Sequence, residues 1–486
     1  MESIWTQTLP PLPDFPPLEG DISCEAAVVG GGMAGILTAW ELKRRGVETV
    51  VLEAGQPGAG VTAGTTAKIT SQHGMIYHNL IRAVGAERAG QYAAANQAAI
   101  SDYEALVGEL GIGCAFRRAP AYLYDRKSDA ALKKEAAAAN SLNIPAVLVK
   151  DTELPFPVAG ALKFPEQAQF QPLAFLTALL PRLRIYGHTT AEAITDEGVR
   201  TGRGFVRARH VLVCSHFPFF NLPGFYFARM HQDRSYVLAL QGPPALEGMY
   251  RDANPAGLSL RSGESCLLLG GGGHRSGKTP GEDGYKTLER AAGRWWPQAK
   301  IAARWSAQDC MTMDGVPYIG AYPGGRANLY VATGFQKWGM STAMAAAHIL
   351  SDLVTGRDNP YAQVFSPHRL PTFPALSNLL KDGGMSAGHL LSQAFYTPRA
   401  QLRDVKPGQG GVVSWHGKKV GVYHGEDGRY YLVPTRCPHL GCQLSWNAAE
   451  RTWDCPCHGS RFDHTGRRLD TPASDDLSCR LRGDAQ

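Results

Sequence analysis

The stretch from Glu25 to Glu53 constrains the fold more than any other part of the chain. Glu-Ala-Ala-Val-Val at 25–29 is an apolar run of strand length, and it leads into Gly30-Gly31-Gly32-Met33-Ala34-Gly35. A helical pattern over 36–45 and a second apolar run at 49–52 complete a βαβ unit. Gly30, Gly32 and Gly35 supply GxGxxG: the first permits the tight turn, the second lets the backbone approach a pyrophosphate, and the third allows close helix packing. Glu53 ends the second strand, where a carboxylate can accept from ribose hydroxyls. The phosphates are expected on the helix N-terminus, whose free N–H groups and dipole attract anions. The motif alone fits either FAD or NAD.

With 486 residues the chain is too long for one domain of roughly 100–200 residues. Hydrophobic residues at 44% and charged residues at 19% exclude a disordered or fibrous chain. Residues 75–310 alternate helical stretches with short apolar runs, which predicts an inserted α+β substrate layer. Val211 to Cys214 reads as a buried strand returning to the first sheet, so the nucleotide-binding part is expected to be discontinuous. Glycine signals recur at Asp314-Gly-Val-Pro-Tyr-Ile-Gly320 and, after an apolar run, at Thr333-Gly-Phe-Gln-Lys-Trp-Gly-Met340, before an alanine-rich helix. Proline and glycine then rise from 356 to 411, around one short helical run at Ala375 to Leu380. The expected division is a body at 24–356, a linker at 357–399 and a last domain at 400–486.

Ten cysteines are unevenly spread, and five of them fall in the last fifty residues. Cys437-Pro-His439-Leu-Gly-Cys442 and Cys455-Pro-Cys457-His458-Gly-Ser460 bring thiolates and imidazoles together. Such pairs suit tetrahedral zinc. They also suit a 2Fe-2S centre in which two histidines replace two cysteines on one iron. Cys479 stands outside both boxes and reads as an inert core thiol.

Other readings find little support. A net charge of +6 without long basic runs excludes a nucleic-acid partner. No window reaches the ~18 apolar residues of a membrane span, so no transmembrane segment is expected. The proline-rich start lacks the basic and apolar regions of a secretory signal, and a cytoplasmic location is the expectation. A mononuclear iron site would need two histidines and a carboxylate. His73 and His78 lack the spacing for it and read as structural. No second acid-capped βαβ unit is present for NADH, because the run Gly270 to Gly273 has no such strand after it.

The fingerprint at 27–53, with DGVPYIG and GFQKWGM, resembles the FAD-dependent oxidoreductases of the D-amino-acid oxidase and sarcosine oxidase (DAO) superfamily over residues 24–356. The last domain resembles Rieske 2Fe-2S domains of the bc type. Together these resemblances imply an α/β FAD-binding Rossmann-like domain with an inserted α+β substrate domain, plus an all-β C-terminal Rieske domain. FAD would lie on Gly30, Gly32, Gly35, Glu53, Thr66, Gly334, Gly339 and Met340. No cysteine adjoins the second flavin motif, which favours non-covalent FAD. The cluster ligands would be Cys437, His439, Cys455 and His458, with Cys442 and Cys457 as a disulfide. That bond runs against the usual redox rule for a cytosolic protein. Ser460 would hydrogen-bond a bridging sulfide. Phe462 stands where many high-potential members have tyrosine, which implies a moderate potential.

The implied activity is oxidation of an amine or amino acid at a C–N bond by hydride transfer to flavin, with electrons passed singly through the cluster to an unknown acceptor. The alternative is a redox sensor or electron-transfer protein without small-molecule turnover. Candidate substrate contacts are Lys68 in the flavin-side loop, Arg234 as a carboxylate clamp with Tyr236 beside it, His274 after the glycine run and Lys337 in the flavin motif. Tyr122, Tyr124 and Trp338 are further candidates for the pocket wall.

Overall fold

The computed structural model describes residues 2–220, 222–278, 283–325, 327–369, 398 and 400–477. Ala375 to Leu380 and Cys479 lie outside the described residues.

Strand β1 (Ile22–Val29), helix α1 (Met33–Arg44) and strand β2 (Thr49–Leu52) form the expected βαβ unit, with β1 and β2 parallel. Ala26 to Val29 are all buried because helices and strands cover both faces of the sheet, which removes the alternation of a half-exposed strand. Strand β3 (Gly204–Val213) runs parallel to β1 on its other side and pairs in turn with Leu329–Thr333. Arg184–Tyr186 extends the sheet beyond β2. The nucleotide-binding sheet thus gathers strands far apart in sequence into eight. Because residues 184–213 belong to it, the substrate layer expected over 75–310 is carried by two separate stretches of chain.

The second sheet has nine strands. Strand β4 (Met230–Gln241) lies between β5 (Leu267–Arg275) and β6 (Lys300–Thr312), antiparallel to both. Met249–Asp252 and Lys68–Ile69 also belong to this sheet. Side chains alternate along β4, so its residues divide between two faces. His231, Asp233 and Ser235 are half-buried, while Gln232, Arg234 and Tyr236 are buried.

The C-terminal domain is all β, with a three-stranded sheet at 410–434 and a four-stranded one at 445–470. The first cysteine box follows Tyr430–Pro434, and the second joins Thr452–Asp454 to Arg461–Asp463. Cys437, Cys442, Cys455 and Cys457 share a small core with Trp453, Phe462 and Leu477. A domain of this size has few apolar residues to bury, so the cluster loops themselves supply part of its core. No helix among the described residues is long and apolar enough to cross a membrane.

Candidate functional site

A cavity of about 1100 Å³ opens where the two large sheets and the C-terminal domain meet. Gly30, Gly32, Glu53 and Thr66 line it, as do Gly334, Gly339 and Met340 from strand β7 (Leu329–Thr333), its following turn and helix α2 (Gly339–Val354). Gly35 lies behind the wall, where a Cβ would run into the Gly30 carbonyl oxygen. Gly30 has φ +112, and a side chain there would meet the Cys214 carbonyl oxygen at 2.6 Å. The backbone N–H groups of Gly31 and Gly55 donate to the two Glu53 carboxylate oxygens at 2.6 and 2.8 Å, which holds the acid at the end of β2. A glycine cradle at a helix N-terminus, an acid beside it and a cavity of about 1100 Å³ fit a dinucleotide such as FAD.

At the other end of the cavity Lys68 Nζ donates to the Tyr250 carbonyl at 3.1 Å and to Ser259 Oγ. Burial, and then the charges of Arg251 and Arg261, push its pKa well below the ordinary lysine range. Lys337 lines the same cavity and donates to Ser235 Oγ at 3.1 Å, with Asp233 Oδ2 at 3.6 Å. Asp309 is another lining residue, and burial raises its carboxyl pKa. Trp338 borders the cavity and stacks on His73, with ring centroids 4.8 Å apart. His73 bonds Tyr92 Oη, Thr70 O and Ser341 Oγ, a structural role.

The sequence did not mark Arg251 as a functional residue. It lines the cavity with its guanidinium 5.7 Å from the Trp338 ring, and no carboxylate pairs with it among the described residues. Its pKa is lowered by burial, against the opposing charges of Asp309 and Asp252. The only signal available was an arginine beside tyrosine in the short strand Met249–Asp252.

Two expected contacts are corrected. Arg234 does not line the cavity, because its position on β4 turns it to the opposite face of the sheet. The carboxylate it clamps belongs to Glu450 of the C-terminal domain, at 2.7 Å. His274 is likewise absent from the lining. Its Nδ1 donates to the Arg275 carbonyl at 2.9 Å, so Nε2 accepts from Tyr236 Oη at 3.1 Å. Tyr236 borders the cavity, but its ring packs on Tyr285. Tyr124 is fully buried and donates to Leu258 O, while Tyr122 stacks on Tyr250; neither reaches the lining.

In the C-terminal domain the rings of His439 and His458 stand 4.9 Å apart, centroid to centroid. Burial holds their pKa values down at about 4 and about 3, which keeps both imidazoles neutral as metal ligation needs. His458 Nδ1 is buried with no hydrogen-bond partner among the described residues. A hydrogen bond from Cys455 lowers the Cys437 thiol, and the Cys455 thiol is raised in return. The sulfurs of Cys442, Cys455 and Cys457 lie within 4.8 Å of one another. Cys442 and Cys457 stand at disulfide distance with their Cα atoms 6.5 Å apart, which leaves Cys437 and Cys455 as the free thiols of the two boxes. Two thiols, two neutral imidazoles and an orphaned ring nitrogen fit a 2Fe-2S centre of mixed ligation. Ser460 is fully buried, and its Oγ accepts from the Ala473 N–H at 3.0 Å.

The C-terminal domain sits against the body. Residues 468–471 and 474–476 complete the cavity wall. The Phe227 ring centroid lies 5.8 Å from that of His458 and 6.1 Å from that of His439.

Residues 25–353 match the family described as FAD dependent oxidoreductase (DAO), and residues 396–480 match the Rieske [2Fe-2S] domain. YhfW of Bacillus subtilis (strain 168), named for a Rieske 2Fe-2S iron-sulfur centre, is 40% identical over 97% of this chain and 96% of its own. The cytochrome b6-f complex iron-sulfur subunit 1 of Nostoc sp. (strain PCC 7120) is 48% identical over 48 residues, 10% of this chain and 27% of that one. Among solved structures, glycine oxidase from Geobacillus kaustophilus has TM-score 0.62 at 20% identity, over 72% of this chain and 99% of that one. L-proline dehydrogenase from P. horikoshii has TM-score 0.58 at 19% identity, over 72% and 98%. The chain therefore belongs to the FAD-dependent oxidoreductases of the DAO family and carries a C-terminal Rieske 2Fe-2S domain.

Proposed function

We propose that this protein oxidises an amino acid or a related amine at its C–N bond and passes the electrons one at a time into its own Rieske centre. The observation that carries the reading is the shared wall: one cavity is bounded at once by the dinucleotide loop and by residues 468–471 and 474–476 of the Rieske domain. In this reading FAD lies on Gly30, Gly32, Glu53, Thr66, Gly334, Gly339 and Met340, with Gly35 keeping α1 close beneath. The cluster is held by Cys437, His439, Cys455 and His458, and the Cys442–Cys457 disulfide ties the two loops. Bound FAD supplies a two-electron acceptor, and a bound 2Fe-2S cluster supplies a one-electron outlet.

The chain's own side chains prepare the substrate. Arg251, which makes no ion pair among the described residues, binds the substrate carboxylate. Lys68, whose pKa burial pushes well below the ordinary lysine range, accepts the proton of the substrate ammonium at Nζ, leaving the free amine whose C–H bond can be cleaved as hydride. Trp338 closes the pocket over the Arg251 guanidinium. The substrate carbon loses one hydrogen with its bonding pair, the nitrogen loses a proton, and water hydrolyses the imine to a carbonyl compound and ammonia or an amine. Two electrons leave for an external one-electron acceptor.

Anaerobic mixing of the holoenzyme with a panel of amino acids and amines tests the reading. Flavin bleaching followed by the EPR signal of a reduced Rieske centre supports it. If no compound bleaches the flavin while a redox protein reduces or oxidises the cluster, the protein is an electron carrier or sensor instead.

A further inference from the structure

The contact between the Rieske domain and the body is built around two buried glutamines, 1% and 3% exposed. Gln232, on β4, spends both amide protons on backbone carbonyls of the Rieske domain: His458 O at 2.8 Å and Thr471 O at 3.0 Å. Gln308, on β6, donates to Gly459 O at 2.7 Å and to Gln232 Oε1 at 2.7 Å. Its own oxygen accepts from Ser276 Oγ at 2.6 Å. Every partner of the two NH2 groups is an oxygen that can only accept, so neither amide can flip without placing oxygen against oxygen. A Cβ on Gly459 would stand 2.7 Å from Gln232, and one on Gly277 would run into the Cys455–Pro456 backbone, so the second cluster box meets the body at backbone contact.

The same strands face the cavity. Asp309 lines it, and the adjacent Gln308 holds Gly459. Asp233 pairs across the sheet with Asp309, and the adjacent Gln232 holds His458. Only the thickness of one sheet and one side chain separates the cavity from the loop carrying His458.

A second contact fixes the register. Glu450, on the turn between two Rieske strands, receives Arg234 at 2.7 Å, Ser306 Oγ at 2.8 Å and Tyr285 Oη at 2.6 Å from the body, while Arg461 of its own domain stands at 3.5 Å. A half-buried carboxylate satisfied by four donors fixes one orientation, since any slip would strand charges away from water.

We propose that Gln232 and Gln308 are positioning residues for electron passage: they hold the His458–Gly459 loop against the flavin body, with Glu450 as the latch, so that the histidine side of the cluster takes its electrons from this same chain rather than from a separate protein. This rests on the proposed electron route, but not on the substrate class. Electron transfer falls steeply with distance, and a seat of saturated hydrogen bonds sets that distance.

The test uses deaerated holoenzyme with the flavin reduced by light and EDTA, which needs no substrate. A negative amino-acid panel therefore leaves it intact. Flavin absorbance and the cluster EPR signal are followed in wild type, Gln308→Glu and Gln232→Glu. Each variant keeps its side-chain size but puts a carboxylate oxygen against a carbonyl. Flavin photoreduction, dithionite reduction of the cluster and the cluster g-values should be unchanged. Transfer from flavin to cluster should slow at least about tenfold, the scale on which an unsatisfied buried carbonyl shifts an equilibrium. Amide exchange across 455–460, measured also on apo protein, should rise. Glu450→Gln removes the latch charge without touching the loop and should slow transfer less, which keeps a reading if a glutamine variant does not fold. Wild-type transfer rates in these variants, whether or not amide protection is lost, overturn the proposal.

Discussion

At the residue scale the structure separates arginines that the sequence could not tell apart. Arg234 has its carboxylate partner inside the protein, whereas Arg251 lines the cavity with no ion-paired carboxylate among the described residues. Arg251→Met should lower kcat/KM for carboxylate-bearing substrates roughly ten- to hundredfold, the factor that about 1.5–3 kcal/mol of charge-assisted hydrogen bonding represents. Amines without a carboxylate should be unaffected, and steady-state rates on matched pairs of substrates check both. Phe462 is fully buried in the cluster core, two residues beyond the buried Ser460. A hydroxyl there can donate towards cluster sulfur and favour the reduced state. Phe462→Tyr should therefore raise the cluster potential by roughly 40 mV, the equivalent of about 1 kcal/mol for one electron. Redox titration followed by EPR reads it, and an unchanged or lower potential rejects the hydroxyl as a donor.

At the element scale the local motifs were legible because their chemistry is local. A strand, three spaced glycines, a helix and an acid fold together within a few turns of chain, and Gly35 shows why the spacing is strict. Gly35→Ala should push α1 off β1 and yield protein purified without flavin absorbance, while the cluster spectrum persists. The cysteine boxes were equally legible, since each is a single loop between short strands. Side-chain direction on β4 and β5 was not. Period-two alternation says that Arg234 and Ser235 point to opposite faces, but which face meets the cavity depends on what packs against the sheet. Arg234 and His274 were thus placed in the pocket when they belong to the wall behind it. The N-terminus gave a similar surprise: ahead of its prolines, Trp5 is buried and donates to Thr65 O at 2.7 Å beside the flavin-side loop.

At the scale of the whole molecule, the docking of the two domains depends on pH through Glu450. Burial raises its carboxyl pKa, but Arg234 and Arg461 outweigh burial and hold it at about 2, against 4.5 for a free group. A depressed folded pKa means that the ionised form is favoured in the fold. Its contribution is therefore complete above pH 4.5 and is lost as the pH falls from there towards 2. Calorimetry should find Glu450→Gln less stable than wild type at pH 6. The gap should close as the pH drops below 4.5, and a gap independent of pH would show that the carboxylate is not the latch.

The sequence by itself determined the two cofactors, FAD and a 2Fe-2S cluster, because a dinucleotide cradle and a cluster loop are short-range motifs whose residues are neighbours in the chain. Only the tertiary structure decided how they communicate. The seat of Gln232, Gln308 and Arg234 brings residues 151 to 226 positions apart into contact, and no local pattern records a hydrogen bond from Gln232 to the carbonyl of His458. Packing of whole sheets sets that contact, through the choice of which face of a strand is covered and by what.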